Sequence, residues 1–136
     1  MALVNTSSPL SKTFSGKKVF ITGNTGFKGS WLTLWLEQLG ASVSGYSNRE
    51  KTQPSMFEDL GIEKKINQFH GDIADRKSLL AALKIIKPDF IFHLAAQSIV
   101  STSYSNPLET FKTNSLGTAT LLDVMVELEF DGVAVM

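Results

Sequence analysis

The chain has 136 residues, of which 43% are hydrophobic and 19% charged, so we expect one folded domain rather than a disordered segment. Thirteen basic residues balance thirteen acidic ones, which leaves no overall positive charge to attract nucleic acid. The chain contains no cysteine, which excludes disulfides and thiolate metal sites and agrees with a cytoplasmic location. No apolar run approaches the roughly 20 residues that span a bilayer, so we expect no membrane partner.

Strand-like and helix-like segments alternate along the chain after an opening leader. Residues 1–16 are rich in serine and threonine and lack the pattern of a signal peptide, so we expect a flexible leader. The segments predicted after it are a strand at 18–22, a glycine turn, a helix that Gly40 ends, strands at 41–46 and 65–70, a helix that Asp75 caps and Pro88 ends, a strand at 89–94, a helix from Pro107 to about Glu127, and a strand at 132–136. Because such strands pair in parallel through right-handed crossovers, the α/β pattern predicts a doubly wound parallel sheet over residues 17–136.

The first long helix is predicted from an apolar face. Leu32, Leu36 and Leu39 lie on one side of it, at the spacing of an amphipathic helix. Trp31 and Trp35 flank that face four residues apart, and we interpret them as packing anchors.

The last helix is predicted from its first turn and from two apolar stripes. Asn106-Pro107-Leu108-Glu109 combines a capping residue, a first-turn proline and a glutamate three places after the cap, which is typical of a helix start. The two stripes consist of Leu108, Phe111, Leu122 and Met125 and of Leu121, Val124 and Leu128. One stripe can pack on the sheet while the other contacts a partner, and the strand at 132–136 forms an open edge, so we expect a homo-oligomer. The alternative is that the second stripe folds back on the leader.

The turn between the first strand and the first long helix carries three glycines, Gly23, Gly26 and Gly29. Glycine allows a ligand to approach the backbone closely, and the following helix presents unpaired N–H groups at its positive end. This combination favours a pyrophosphate site, with a simple tight turn as the alternative. The spacing is G-x-x-G-x-x-G, not the commoner G-x-G-x-x-G.

Several motifs carry a resemblance to a known family. The pattern T-G-x-x-G-F-x-G from Thr22 to Gly29 resembles the extended short-chain dehydrogenase/reductase superfamily, and Phe27-Lys28-Gly29-Ser30-Trp31-Leu32 is similar to the loop of CDP-glucose 4,6-dehydratases. Further matches are Gly71-Asp72-Ile73, His93-Leu94-Ala95-Ala96-Gln97, Ser103-Tyr104 with Pro107, and Asn114 with Gly117-Thr118. The resemblance covers the chain from Gly16 onward and implies a Rossmann-like NAD(P)-binding domain, truncated after about the fifth strand.

The resemblance also implies a cofactor site. By that likeness the glycine loop carries the pyrophosphate, Asp72 accepts a hydrogen bond from the adenine amine, and Asn114 bonds backbone and shapes the active site. The residues implied as cofactor-binding are Gly23, Thr25, Gly26, Phe27, Lys28, Gly29, Asp72, Ile73, Leu94, Ala95, Ala96, Gln97 and Asn114. Simpler interpretations remain open: Asp72 as a turn residue at the end of a strand, the two alanines as packing residues, and Asn114 as a solvated helix residue.

The two histidines are not predicted to act in catalysis. His93 ends a buried strand and is interpreted as a structural histidine, and His70 is interpreted in the same way. Neither has carboxylates at metal-ligand spacing, so we predict no metal site.

Three departures from the family pattern bear on specificity. Asn24 stands where these dehydratases usually have histidine. Ser101 and Thr102 stand where arginine is usual, and because that arginine could engage a nucleotide-sugar phosphate, CDP-glucose as the substrate is in doubt. Ser47-Asn48-Arg49 lacks the acid that would bond a ribose 2′-hydroxyl, and Arg49 could meet a 2′-phosphate instead. The resemblance implies NAD, and NADP is not excluded.

The function that the resemblance implies belongs to a longer protein. In such a dehydratase a nucleotide sugar is oxidised at C4, loses water across C5 and C6 and receives the hydride back at C6, with a Tyr-x-x-x-Lys pair supplying the base. Tyr46 and Tyr104 are the only tyrosines here, and neither has a lysine four places on. We therefore expect the NAD(P)-binding part of a nucleotide-sugar 4,6-dehydratase, inactive by itself. The alternatives are part of another extended-family epimerase or reductase, or a non-catalytic dinucleotide-binding module.

Overall fold

The computed structural model describes residues 8–48 and 53–136, which form one parallel five-stranded sheet with helices on both faces. The strands are β1 Lys18–Thr22, β2 Ser42–Ser47, β3 Asn67–His70, β4 Phe90–His93 and β5 Val133–Val135. The helices are α1 Pro9–Phe14, α2 Phe27–Gln38, α3 Met56–Asp59, α4 Arg76–Ile86, α5 Val100–Ser105, α6 Pro107–Phe111 and α7 Gly117–Glu127, with a 3-10 turn at Ile62–Lys64 and a π-helical turn at Lys112–Leu116. The predicted doubly wound sheet is confirmed.

The strand order β3-β2-β1-β4-β5 places the topological switch point between β1 and β4. The chain winds outward from β1 through β2 to β3, and then returns to the other side of β1 to form β4 and β5. Thr22 at the end of β1 lies beside His93 of β4 and Tyr46 of β2. In open parallel sheets, ligands bind beyond the carboxyl ends of the strands at such a point.

Two cores hold the helices against the sheet, because alternate residues of each strand face opposite sides. On one side Val19 and Ile21 of β1 pack with Leu36 of α2 and with Leu39, the residue that follows α2. On the other side Phe20 belongs to a second cluster, whose other buried members are Tyr46, Ile73, Leu79, Ala82, Leu83, Ile86, Ile91, Leu121 and Val124. Both faces of the sheet are therefore covered, as a doubly wound fold requires.

The described part of the predicted leader contains helix α1. Ser8 caps it by accepting a hydrogen bond from the Ser11 N–H at 3.1 Å. Phe14 at its end packs on Phe90 with ring centroids 5.0 Å apart. Residues 1–7 of the leader lie outside the described residues.

Trp31 and Trp35 do not act as packing anchors in this structure. Their side chains are 58% and 50% exposed, whereas Leu36 on the same helix is 1% exposed. Four-residue spacing placed both indoles on one stripe of α2, but that stripe points away from the sheet. The prediction for the two tryptophans was wrong.

The last helix runs from Pro107 to Glu127 as predicted, but its start and its middle differ from expectation. Asn106 stands at the cap position without a side-chain hydrogen bond to the helix, so the predicted capping box is not formed. A π-helical turn, Lys112–Leu116, interrupts the α-helical ladder, and the Gly117 N–H donates to the Lys112 carbonyl five residues earlier. Leu121 and Val124 are fully buried on the sheet side.

Candidate dinucleotide site

The glycine loop is shaped by close backbone contacts at the end of β1. Gly23 has φ +70°, and a Cβ atom there would lie 2.6 Å from the backbone nitrogen of Ala95. A Cβ on Gly29 would lie against the Gly23 carbonyl and 2.6 Å from the Asn24 Cα. Both positions therefore require glycine for packing.

Gly26 has a different environment from the other two loop glycines. It is the capping residue of α2 with φ −70°, and a Cβ there would meet only the Gly23 carbonyl, at 3.4 Å. Because glycine has no side chain, it leaves the first-turn N–H groups of α2 uncapped and approachable. Phe27 and Lys28, the next two residues, are exposed at this helix start.

Asn24 connects the glycine loop to the sheet through side-chain hydrogen bonds. Its side chain is fully buried, and its Nδ2 donates to Gln68 Oε1 of β3 at 2.7 Å. Gln68 Nε2 in turn donates to Asn24 Oδ1 at 3.4 Å and to Ser47 Oγ at 3.2 Å. Asn24 therefore ties the loop to β3 directly and to Ser47 of β2 through Gln68.

A hydrogen-bonded chain links the ends of β1 and β4 to the last helix. Thr22 Oγ1 accepts from the N–H groups of Leu94 and Ala95, both at 3.2 Å, so its own hydroxyl donates to His93 Nδ1 at 2.7 Å. The Thr118 hydroxyl donates to a backbone carbonyl, so its oxygen accepts from His93 Nε2 at 2.9 Å.

His93 is a structural histidine, as the sequence indicated. Burial lowers the pKa of its ring below the ordinary 6.5, because desolvation disfavours the charged imidazolium. The neutral ring uses both nitrogens in hydrogen bonds to threonines. His70 ends β3 with its side chain 32% exposed and its Nε2 3.6 Å from a Glu63 carboxylate oxygen, so it is less buried than His93. Its interpretation as a structural histidine stays a prediction.

Asn114 fastens the last helix to the segment after β4. Gln97 N–H donates to Asn114 Oδ1 at 2.8 Å, and Asn114 Nδ2 donates back to the Gln97 carbonyl at 3.0 Å. The Gln97 side chain continues this contact by donating to Thr110 Oγ1 at 2.9 Å. The expected bond between Asn114 and backbone is present. Asn114 is therefore more than a solvated helix residue.

Asp72 lies in the turn after β3 and is held on both carboxylate oxygens. Lys112 Nζ donates to Oδ2 at 2.6 Å, and the Ala74 N–H donates to Oδ1 at 2.9 Å. The hydrogen bond from Lys112, with that from Ala74, lowers the pKa of Asp72. Tyr46 donates its hydroxyl to the Asp72 carbonyl, and burial raises the pKa of Tyr46 to about 12.

The structure brings most of the candidate residues to one edge of the sheet. Gly23 contacts Leu94 and Ala95 across the switch point, and Ile73, 5% exposed, fits against Gly117 of the last helix. Ala96 is exposed on the same segment as Ala95, and Thr25 is half-buried in the loop.

A cavity of about 610 Å³ lies elsewhere, at the amino-terminal edge of the sheet beside Lys17, Asp89 and Gly132. None of the candidate cofactor residues lines it, so it is separate from the candidate dinucleotide site. Sequence reasoning missed Lys112, which lies 40 residues from Asp72 and shares no motif with it. Arg49, the candidate for a 2′-phosphate contact, lies outside the described residues.

Within residues 8–48 and 53–136, no three histidine, cysteine or acidic side chains gather closely enough to hold a metal ion. In the same part of the chain, no helix is both long and apolar enough to cross a membrane.

A parallel sheet ordered 3-2-1-4-5, with a glycine turn at the switch point, defines a Rossmann-type nucleotide-binding fold. A family model described as GDP-mannose 4,6 dehydratase matches residues 20–134, and the chain belongs to that family. It is 44% identical over 115 residues to a CDP-glucose 4,6-dehydratase of Salmonella typhimurium, covering 85% of this chain and 32% of the relative. A UDP-glucose 4-epimerase of Halalkalibacterium halodurans is 32% identical, with 80% of this chain and 31% of the relative covered.

Solved structures show the same fold. An epimerase from Methanothermobacter thermautotrophicus superposes with a TM-score of 0.78 at 30% identity, over 95% of this chain and 36% of that one. A UDP-glucose 4-epimerase of Thermus thermophilus in complex with NAD gives a TM-score of 0.74 at 27% identity, over 85% and 36%. The chain therefore spans about a third of the length of the relatives that it matches.

Proposed function

We propose that this chain is the NAD-binding part of a nucleotide-sugar 4,6-dehydratase. The observation that carries the proposal is the Gly23–Gly29 turn, packed at the switch point of the sheet with an uncapped helix start facing outward. The match to the CDP-glucose 4,6-dehydratase at 44% identity supports this class of enzyme, and the structural likeness to a UDP-glucose 4-epimerase in complex with NAD supports the cofactor.

The residues of the site fit the parts of a dinucleotide. Gly26 and the first-turn N–H groups of α2 provide the cradle for the pyrophosphate, since a helix N-terminus attracts anions. Asp72 supplies an acceptor for the adenine amine beside buried Ile73. Ala95 lies against Gly23 at the switch point, where small side chains leave room for the ribose and nicotinamide.

Bound NAD supplies a hydride acceptor for oxidation of the sugar at C4. The chain's own residues bind and orient it: the glycine turn holds the phosphates, and Asn114 fixes the Gln97 backbone beside the nicotinamide end. His93 bonds both of its ring nitrogens to threonines and is not available as a base. These 136 residues contain no Tyr-x-x-x-Lys pair, so we propose binding without turnover for this polypeptide.

Calorimetric titration with NAD and NADP tests the binding proposal. We expect weak binding with NAD preferred, and loss of binding in Gly26→Trp, because the indole fills the pyrophosphate cradle while its Cβ is tolerated by the fold. Gln38→Trp, which adds the same indole at the exposed far end of α2, is the control and should bind like the parent chain. Absence of binding at millimolar NAD and NADP would sink the proposal, as would undiminished binding by Gly26→Trp.

A second assay tests for activity by incubating the 136-residue polypeptide with CDP-glucose and NAD, and it should give no 4-keto-6-deoxy product. Product formed by this polypeptide, free of any longer contaminant, would refute the proposed division of roles.

A second candidate, part of a nucleotide-sugar 4-epimerase, is favoured by the relatives of that class at 32% identity and by the solved epimerase structures. It makes the same binding prediction, and the source gene's sequence past residue 136 distinguishes the two. A third candidate function is that of a non-catalytic dinucleotide-binding module.

We also propose that the protein self-associates in the cytoplasm and that the nucleotide sugar is its small-molecule partner. Leu121 and Val124 use one stripe of the last helix for the sheet, while Phe111, Leu122 and Val126 are 67%, 46% and 77% exposed on the rest of it. Exposed apolar side chains on the side of a helix away from the sheet favour contact with a second copy.

A further inference from the structure

The ion pair between Asp72 and Lys112 lies where the purine of a dinucleotide is proposed to bind. Lys112 Nζ stands 2.6 Å from Asp72 Oδ2, and the Glu109 carboxylate is 3.7 Å from the same nitrogen. The Lys112 and Asp72 side chains are 42% and 41% exposed. Both members of the pair are therefore open to a ligand that enters from solvent.

The backbone fixes the direction from which Lys112 reaches Asp72. Lys112 begins the π-helical turn of the last helix, and Asn114, two residues on, bonds the Gln97 backbone in both directions. Side chains two residues apart point to different sides of a helix. Because Asn114 is bonded to Gln97 in the segment after β4, the Lys112 side chain points the other way, toward Asp72 in the turn after β3.

The two charged groups have opposite hydrogen-bonding capacities. An ionised carboxylate only accepts, and an ammonium group only donates. An adenine ring presents an amine at its six-position, which donates, whereas a hypoxanthine ring presents a carbonyl oxygen there, which accepts. At the six-position, the Asp72 carboxylate alone would accept a hydrogen bond from the adenine amine but would repel the hypoxanthine oxygen.

We propose that Lys112 determines the purine specificity of this site, placing a donor beside the Asp72 acceptor so that dinucleotides with either a 6-amino or a 6-oxo purine are bound. This inference rests on the dinucleotide site proposed above. It assigns to Lys112 a contact with the ligand, in addition to its bond with Asp72.

Calorimetric titration with NAD and with nicotinamide hypoxanthine dinucleotide tests the proposal in the parent chain and in Lys112→Met. The variant should lose affinity for the hypoxanthine dinucleotide by about tenfold or more, the size expected for one lost charged hydrogen bond, with NAD affinity changed by less than about threefold. Lys112→Arg keeps a charged donor and should retain the parent's ratio of the two affinities. Melting curves confirm that each variant is folded.

Two further variants separate purine specificity from a general effect of charge. Lys28→Met removes a lysine from the helix start next to the glycine turn and should weaken both dinucleotides alike, leaving their ratio unchanged. Asp72→Asn provides an amide that can donate, and should shift the ratio toward the hypoxanthine dinucleotide.

The change of the affinity ratio in Lys112→Met decides the matter. A change below about fivefold, with NAD still bound, overturns the role of Lys112 and leaves the proposed function standing. Failure of the parent chain to bind either dinucleotide overturns the proposed function and this inference together.

Discussion

Replacing Gly29 with alanine should destabilise the protein far more than the same change at Gly26, three residues earlier in the same loop. A Cβ at Gly29 meets the Gly23 carbonyl and lies 2.6 Å from the Asn24 Cα, and backbone atoms cannot rotate away as side chains can. A Cβ at Gly26 meets only one oxygen, at 3.4 Å, which is an ordinary contact distance.

The magnitude follows from two opposing effects. Forcing a methyl group into a packed site costs about 1–3 kcal/mol, and contact with backbone places Gly29→Ala near about 3 kcal/mol. Alanine inside a helix is better than glycine by about 1 kcal/mol, which leaves a net loss of about 2 kcal/mol. For a domain of this size that lowers Tm by roughly 7 °C. Gly26→Ala changes only the helix cap and should cost about 0.5–1 kcal/mol.

Thermal and urea unfolding followed by far-ultraviolet circular dichroism measures both variants against the parent chain. The two glycines share a loop and a substitution, so each variant controls for the other. If Gly29→Ala melted within about 2 °C of the parent, or if Gly26→Ala fell as far as Gly29→Ala, the loop would not be packed in the way the structure indicates.

Three other predictions concern pH and assembly. Because burial lowers the pKa of His93, the stabilisation from its neutral ring is present above the ordinary 6.5 and is lost as pH falls toward the lowered pKa. His93→Gln should have a lower Tm than the parent chain at pH 7, and its Tm should change less between pH 7 and 5.5. An equal change of Tm in the two chains would contradict this. The pKa of Asp72 is lowered chiefly by Lys112, so the parent chain should have a slightly higher Tm than Lys112→Met, and this difference in Tm should disappear as pH falls below 3.8. A difference in Tm that persisted in acid would exclude the ion pair as its source. Phe111→Glu should shift the chain toward monomer in light scattering, while Ile85→Glu, at an exposed apolar residue on α4, should not; a monomeric parent chain would end the proposal of self-association.

The sheet could be predicted from the sequence because its signals are local. Lys18–Thr22 is a short run of β-forming residues that ends in glycine, and the strand has those bounds. Asp75 caps α4 through the N–H groups of Lys77 and Ser78, as its type and position indicated. Such signals need no knowledge of the rest of the chain.

Short helices escaped prediction because nothing local distinguishes them from loops. Val100–Ser105 is mostly serine, threonine and β-branched residues of modest helix propensity, and none of its side chains is buried. Its hydroxyls bond carbonyls of the preceding turn, as Ser103 does to Val100 at 2.6 Å. The same residues would serve a turn equally well.

The glycine turn of the proposed site could be recognised from the sequence, whereas the contacts between residues far apart in the chain could not, and the π-helical turn shows why. A π-helical turn is rare and occurs frequently at functional sites. Here Lys112 reaches Asp72 after β3, while Asn114 reaches Gln97 after β4. One helical turn thus connects the segment after β3 with the segment after β4 and keeps them at a fixed separation. The distance between the proposed adenine and nicotinamide ends of the site is therefore set by contacts that span 40 and 17 residues of sequence, beyond the range of any local pattern.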